Sequence, residues 1–212
     1  KIGNRLYLGV KGGFAVNDWL KNKSTNLKAK QGGFDGRKLE KDDQIEFKIQ
    51  NSKFQTQLKL SPHFVSDYLY SNQIRFIPGP EFDLLTPLSS EILLKERFLI
   101  SQNSDRMGYR MTGKELHLLH EKELVSSAVT FGTMQLLPNG QIIILMADHQ
   151  TTGGYPRIGN VISVDLPILA QLGANDKVRF EPISLEEAEN LALKFENELN
   201  FLKIGCKFQM NQ

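Results

Sequence analysis

"TMQLLPNGQIIILMADHQTTGGYP" (133–156) is the stretch on which the fold reading turns. Two apolar runs flank Asn139-Gly140, and Asn-Gly tolerates the positive φ angles of a tight hairpin turn. A two-residue type I′ loop sets Pro138 against Gln141. The ladder then places Met134 opposite Leu145 and Leu136 opposite Ile143, an apolar face suited to a core. The other face pairs Gln135 with Ile144, Thr133 with Met146 and Phe131 with Asp148. It gathers polar groups among hydrophobic neighbours, as a pocket wall does. Beyond the second strand stand two hydroxyls, two glycines, an acid, a histidine and an amide. By residue type alone that cluster is either a ligand-binding loop or a polar turn leaving a barrel.

Working outward, short β patterns dominate: "RLYLGV" (5–10), "QIEFKI" (44–49), "QIRFIP" (73–78), "RFLIS" (97–101), "VTFGTMQLL" (129–137), "QIIILMA" (141–147) and "KVRFEPI" (177–183). Each is rich in β-branched or aromatic residues and bounded by Gly, Pro, Asn or Asp. Many short strands with glycine-rich connections predict a mainly β protein with minor α, as a closed barrel or sandwich. Residues 82–95 admit a short helix. Ser184 and Glu187 form a capping box at the start of a C-terminal helix. Ala188, Leu191, Ala192, Phe195, Leu199 and Leu202 then recur at helical spacing, predicting one apolar stripe laid on the barrel.

The 212 residues suffice for a real core, and 40% hydrophobic with 24% charged residues is ordinary for a globular chain. A net charge of +2 gives no argument for nucleic acid. The lysines of 21–41 interleave with Asp35 and Glu40 as on a solvated face. Cys206 is the single cysteine, so no intrachain disulfide or cysteine metal cluster is possible, which favours a reducing compartment such as the cytoplasm. No stretch is long and apolar enough to span a membrane. The chain opens on Lys1 and enters a strand pattern at once, which predicts that residues precede it. The expected division is a remainder of an N-terminal β segment (1–50) followed by the barrel with its helix (51–212).

Several motifs carry chemistry at first sight. "GYRMTGKE" (108–115) matches G-x-x-x-x-G-K, but Glu115 stands where a phosphate loop needs Ser or Thr to hold magnesium. "HLLH" (117–120) brings two histidines together only if helical, and no third ligand is in view. No G-x-S-x-G elbow is present. In "SDRMGYRMTG" (104–113), Arg106 and Arg110 flank Tyr109, and arginine forks bind carboxylate or phosphate bidentately. Two exposed arginines on a strand explain the pattern equally well. Gly153-Gly154 permits backbone approach to a ligand, or simply a turn.

Taken in order, these segments resemble a known family. "SDRMGYRMTG" and "FGTMQLLPNGQIIILMADHQTTGGYPRIGNVISVDLPILAQLGANDKVRF" are similar to the biotin-dependent carboxyltransferase-like family, also called allophanate hydrolase subunit 2. "RLYLGVKGGF", "KSTNLKAKQGGFDGRKLEKDDQI" and "IRFIPGPEFD" resemble its other elements. The resemblance covers roughly residues 4 to 190. It implies a cyclophilin-like β-barrel without isomerase activity. It also implies work with a homologous carboxyltransferase-like partner, of the 5-oxoprolinase B-component or kinase-inhibitor type.

The activity implied first is that of a 5-oxoprolinase subunit, in a complex that uses ATP to convert 5-oxo-L-proline, a small amide, to glutamate. Two alternatives are a regulatory antagonist of a histidine-kinase inhibitor, and a carboxyltransferase component of a urea-carboxylase-like, biotin-dependent system. The site residues expected on this basis are Arg106, Tyr109, Arg110, Gln135, Asp148, His149, Gln150, Thr151, Thr152, Gly153, Gly154 and Tyr155, with no metal. Arg106 and Arg110 are the candidate anion binders. Two departures stand out. The sequence starts after the family's usual further N-terminal segment, as expected of a fragment, and His149 stands where the family usually has Arg. No Met-Lys-Met motif is present, so covalent biotin on this chain is not expected.

Overall fold

The computed structural model describes residues 3–47, 71–120 and 124–210, and the chain divides into two compact units. One comprises residues 6–57. The other comprises residues 1–5 and 58–212 and contains a closed barrel. The expected strand at 44–49 lies partly, and residues 51–70 wholly, outside the described residues.

Among its described residues the larger unit has nine strands: β1 (Gln73–Pro78), β2 (Phe98–Ile100), β3 (Gly108–Thr112), β4 (Ser127–Ala128), β5 (Thr133–Leu136), β6 (Ile142–Leu145), β7 (Thr152–Gly153), β8 (Arg157–Val161) and β9 (Lys177–Pro182). Seven close into a barrel in the order β1-β8-β5-β6-β3-β2-β9. The seam between β9 and β1 is parallel, with Ile74 paired to Phe180, and the other pairings are antiparallel. β4 and β7 form a separate two-stranded sheet.

Period-two burial fills the barrel. In β9, Val178 and Phe180 are buried while Lys177, Arg179 and Glu181 are exposed, and in β1 Ile74 and Phe76 point inward. Phe76, Phe180 and Phe98 run across the seam, with centroids 6.3 and 5.7 Å apart. Two buried carboxylates fasten the outside. Asp165 accepts from the backbone N–H, Nε and Nη2 of Arg75. Glu81 accepts from the same three groups of Arg157, at 2.9 to 3.0 Å. These hydrogen bonds hold both guanidinium pKa values above the usual arginine range.

The hairpin register differs from expectation by one residue. Met134 pairs with Ile144, Gln135 with Ile143 and Leu136 with Ile142. Pro138 is the physical cause. It fixes a negative φ at the first turn position, and Asn139 has no positive φ, so type I′ geometry is not formed. Gly140 N–H donates to the Leu137 carbonyl and Leu137 N–H to that of Gln141, enclosing a three-residue loop. Gly140, at φ +74°, supplies the left-handed residue such loops require. The slip leaves β5 facing as expected but reverses β6. Ile142 and Ile144 enter the core, and Ile143 turns outward.

Two other expectations are corrected. Residues 5–10 form no strand, and Leu6, Tyr7 and Leu8 are exposed. The C-terminal helix, Leu185–Met210, begins on the expected capping box: Ser184 N–H donates to Glu187 at 2.9 Å, and Glu187 N–H to Ser184 Oγ at 3.2 Å. The Ser184 N–H and hydroxyl, both donating to the Glu187 carboxylate, hold its pKa below the usual range. The apolar stripe does not lie wholly on the barrel. Of its expected members, Ala188 is buried and Leu199 exposed, with the rest half-buried. At 1.5 Å per residue a 26-residue helix is about 39 Å long, more than a small barrel can cover.

The segment after Phe82 holds a single 3₁₀ turn (Phe82–Leu84) and the helix Pro87–Lys95. Thr86 Oγ1 caps that helix by accepting from Ser89 N–H, and Pro87 occupies its first turn. In the smaller unit, Arg37 clasps Asp43 with two hydrogen bonds of 2.7 and 2.8 Å, and Glu40 N–H adds a third. Together they lower the Asp43 pKa to about 2.

Candidate functional site

Register builds the site. β3, β6 and β5 are neighbours, and Arg110, Ile143 and Gln135 fall side by side across them, all on the outer wall. With neighbouring strands about 4.8 Å apart, the Arg110 and Gln135 backbones lie roughly 10 Å apart across Ile143. Around this row opens a cavity of about 530 Å³. Asn103, Asp105 and Met107, ahead of β3, line one side with Gly108. The hairpin-loop residues Leu137–Asn139, with Gln150 and Tyr155, complete the lining.

The polar groups are differently committed. Asp105 is spent on its own turn, its Oδ1 accepting from the N–H groups of Met107 and Gly108. Arg110 has its backbone fixed by Ser104 Oγ and Ser101 N–H, while its exposed guanidinium makes no ion pair among the described residues. Gln135 is fully buried. Its Nε2 donates to the Tyr155 carbonyl at 3.4 Å, and its Oε1 has no hydrogen-bond partner among the described residues. Reversing the amide would set oxygen against that carbonyl oxygen, so the acceptor assignment follows from the surroundings. Gly153 makes room for this side chain, because a Cβ there would lie 2.6 Å from Nε2. A missing Cβ seats an amide here, beyond the backbone approach its sequence suggests.

The expected site residues divide. Arg110, Gln135, Gln150 and Tyr155 come together on the cavity. Arg106 and Asp148 bind one another instead, through paired bonds of 2.7 and 2.9 Å, and neither lines the cavity. Tyr109 points the other way, into the barrel core, where its hydroxyl donates to the Leu172 carbonyl at 3.1 Å and meets the Arg5 guanidinium at 2.7 Å. One residue along a strand changes faces, so Tyr109 and Arg110 cannot share a wall.

Thr152 and Gly153 form β7, paired with Ala128 and Ser127, and the Thr151 carbonyl accepts from Val129 N–H. Thr151 and Thr152 are exposed and off the cavity, and the half-buried Gly154, beside Leu124 and Ser126, also lies off it. His149 turns its ring Nδ1 to the Gln150 carbonyl and does not line the cavity.

Sequence reasoning missed Ile143, Asn103, Asp105 and the Leu137–Asn139 loop as lining residues. The usable signal was Pro138, which selects the longer loop and turns Ile143 outward. "GYRMTGKE" runs from β3 into a turn with no helix after it. His117 and His120 flank an isolated bridge between Leu118 and Leu85, and no metal-binding cluster occurs among the described residues. No helix among these residues is long and apolar enough to cross a membrane.

The described residues thus form a closed mixed β-barrel with an amide- and guanidinium-lined cavity on its outer wall. Residues 1–182 match the family described as carboxyltransferase domain, subdomain A and B, and the chain belongs to that family. The C component of the 5-oxoprolinase of Haemophilus influenzae is 39% identical over 203 residues, covering 96% of this chain and 64% of that protein. Its Escherichia coli counterpart is 37% identical over 207 residues, covering 92% and 65%. The chain thus spans less than two thirds of either relative's length. The urea amidolyase of Kluyveromyces lactis superposes with a TM-score of 0.75 at 21% identity, over 92% of this chain and 13% of that one, a likeness of fold.

Proposed function

We propose that this chain belongs to a subunit of an ATP-dependent 5-oxoprolinase, which converts 5-oxo-L-proline to L-glutamate in the cytoplasm together with a homologous partner subunit. The observation that carries the reading is the outer-wall row. The Arg110 guanidinium, with no ion pair among the described residues, and the buried amide of Gln135, whose acceptor has no partner among them, line one cavity. Its 530 Å³ is ample for a small amide acid. The names of the 37–39% identical relatives support the same assignment. We read the barrel as cyclophilin-like in architecture, carrying a binding site rather than isomerase chemistry.

The cavity does not suit ATP. One guanidinium and the nearby carboxylate of Asp105 are a poor cradle for a triphosphate. Nucleotide chemistry is therefore assigned to another part of the complex. What this chain's residues do is bind and orient: Arg110 anchors a carboxylate, Gln135 accepts an N–H, and Ile143 supplies an apolar floor. The Arg106–Asp148 pair satisfies its own charges nearby.

The test is reconstitution of the full-length protein with its partner subunits, followed by three assays. 5-Oxoproline-dependent ATP hydrolysis is the expected activity. Urea-dependent carboxyl transfer, or neither activity despite partner binding, contradicts the assignment. Within the active complex, Arg110→Ala is expected to raise KM about 10- to 100-fold, the loss of a charged hydrogen bond.

A further inference from the structure

We infer that Arg110 and Gln135 form a specificity-determining pair that selects ligands whose N–H lies beside a carboxylate, with Gln135 Oε1 reserved for that N–H. This deepens the proposed function and rests on it for the identity of the probe. A fully buried side chain with an unpartnered acceptor is uncommon in folded proteins and calls for an explanation. Gln135 lines the cavity, and its neighbours use only its donor. The terminal torsion of a glutamine is broad, so a small rotation presents Oε1 to a ligand.

The row geometry then fixes the chemistry. Arg110 stands two strands away from Gln135, and its side chain, which lines the same cavity, is long enough to span the intervening Ile143. The two polar heads therefore converge on one small molecule, with the half-buried Ile143 beneath its methylenes. A carboxylate suits the guanidinium fork, and an adjacent N–H suits the amide oxygen. A molecule that lacks either group leaves one partner desolvated and unpaired. Sites of that kind discriminate strongly, whereas a pocket that reads only methylenes does not. Gly153 positions the pair's amide, since any side chain there would strike Nε2.

Calorimetric binding to the assembled full-length complex tests this with three probes: 5-oxo-L-proline, its N-methyl derivative, and 2-pyrrolidinone, which lacks the carboxylate. The wild-type complex is expected to prefer 5-oxo-L-proline at least tenfold over each of the others. Gln135→Met is expected to erase the preference over the N-methyl compound while keeping that over 2-pyrrolidinone. Arg110→Ala is expected to do the reverse. Binding with both preferences intact in both variants overturns the inference and leaves the proposed function standing. Absence of 5-oxo-L-proline binding overturns both. Selective binding without turnover supports the pair and overturns the proposed activity.

Discussion

Replacing Gln135 by Met separates binding from folding. The side chain is fully buried, and its Oε1 has no partner among the described residues. A buried, unsatisfied carbonyl costs about 1–3 kcal/mol. The single bond lost, from Nε2 to the Tyr155 carbonyl, is long at 3.4 Å and contributes roughly 0.5–1 kcal/mol. Met is close to Gln in length and volume, so the exchange opens little space. The balance favours the variant by about 0–2.5 kcal/mol, equivalent to a Tm rise of up to roughly 10 °C for a chain of this size. Urea denaturation of the ligand-free protein measures it, with m expected to stay constant. Gln135→Ala, which leaves a cavity, is expected to lose about 2–4 kcal/mol under the same conditions. A Gln135→Met variant less stable than wild type by more than about 1 kcal/mol would refute the reasoning. Oε1 would then be engaged in folding and not reserved for a ligand.

Glu81→Gln leaves the Arg157 guanidinium, 28% exposed, without its carboxylate, and is expected to cost about 2–4 kcal/mol by urea midpoint; a loss under 1 kcal/mol contradicts the role given to that pair. Gly153→Ala drives a methyl to within 2.6 Å of Gln135 Nε2 and is expected to weaken ligand binding about tenfold while leaving the far-ultraviolet circular dichroism unchanged; unaltered affinity argues against an amide positioned by this glycine. Asp43 titrates near 2 when folded against an ordinary 3.8, so its stabilisation of the smaller unit is complete above pH 3.8 and lost as pH falls through 2. Carboxyl NMR titration of Asp43 checks this, and a midpoint near 3.8 counts against the Arg37 clasp.

Much of the barrel was legible because its strands obey simple rules. Val178 and Phe180 alternate with charged neighbours, and Ser184 and Glu187 announce the final helix by capping it reciprocally. β8 escaped notice because "RIGNV" carries Gly159 and Asn160, which read as turn residues. Gly159 is there for packing, since a Cβ would lie 2.5 Å from the Phe76 ring. The hairpin was recognised but shifted by one, because Asn139-Gly140 was weighed without the φ restraint of Pro138. That slip alone sent Ile143 to the wrong face.

Tyr109 shows the other limit. Its place inside the barrel depends on β3 pairing with β6, a partnership set by closure of the sheet and invisible in local sequence. The polar cluster after β6 is partly a cavity wall, through Gln150 and Tyr155, and partly a strand, through Thr152 and Gly153. Residue types suggested both uses and could not apportion them.

The most direct measurement is a crystal structure of the full-length protein, with its partner subunits, bound to 5-oxo-L-proline. The expected result is the ligand seated over Ile143, its carboxylate on Arg110 and its ring N–H donating to Gln135 Oε1. Density for the ligand elsewhere, with the row from Arg110 to Gln135 bare, contradicts the account.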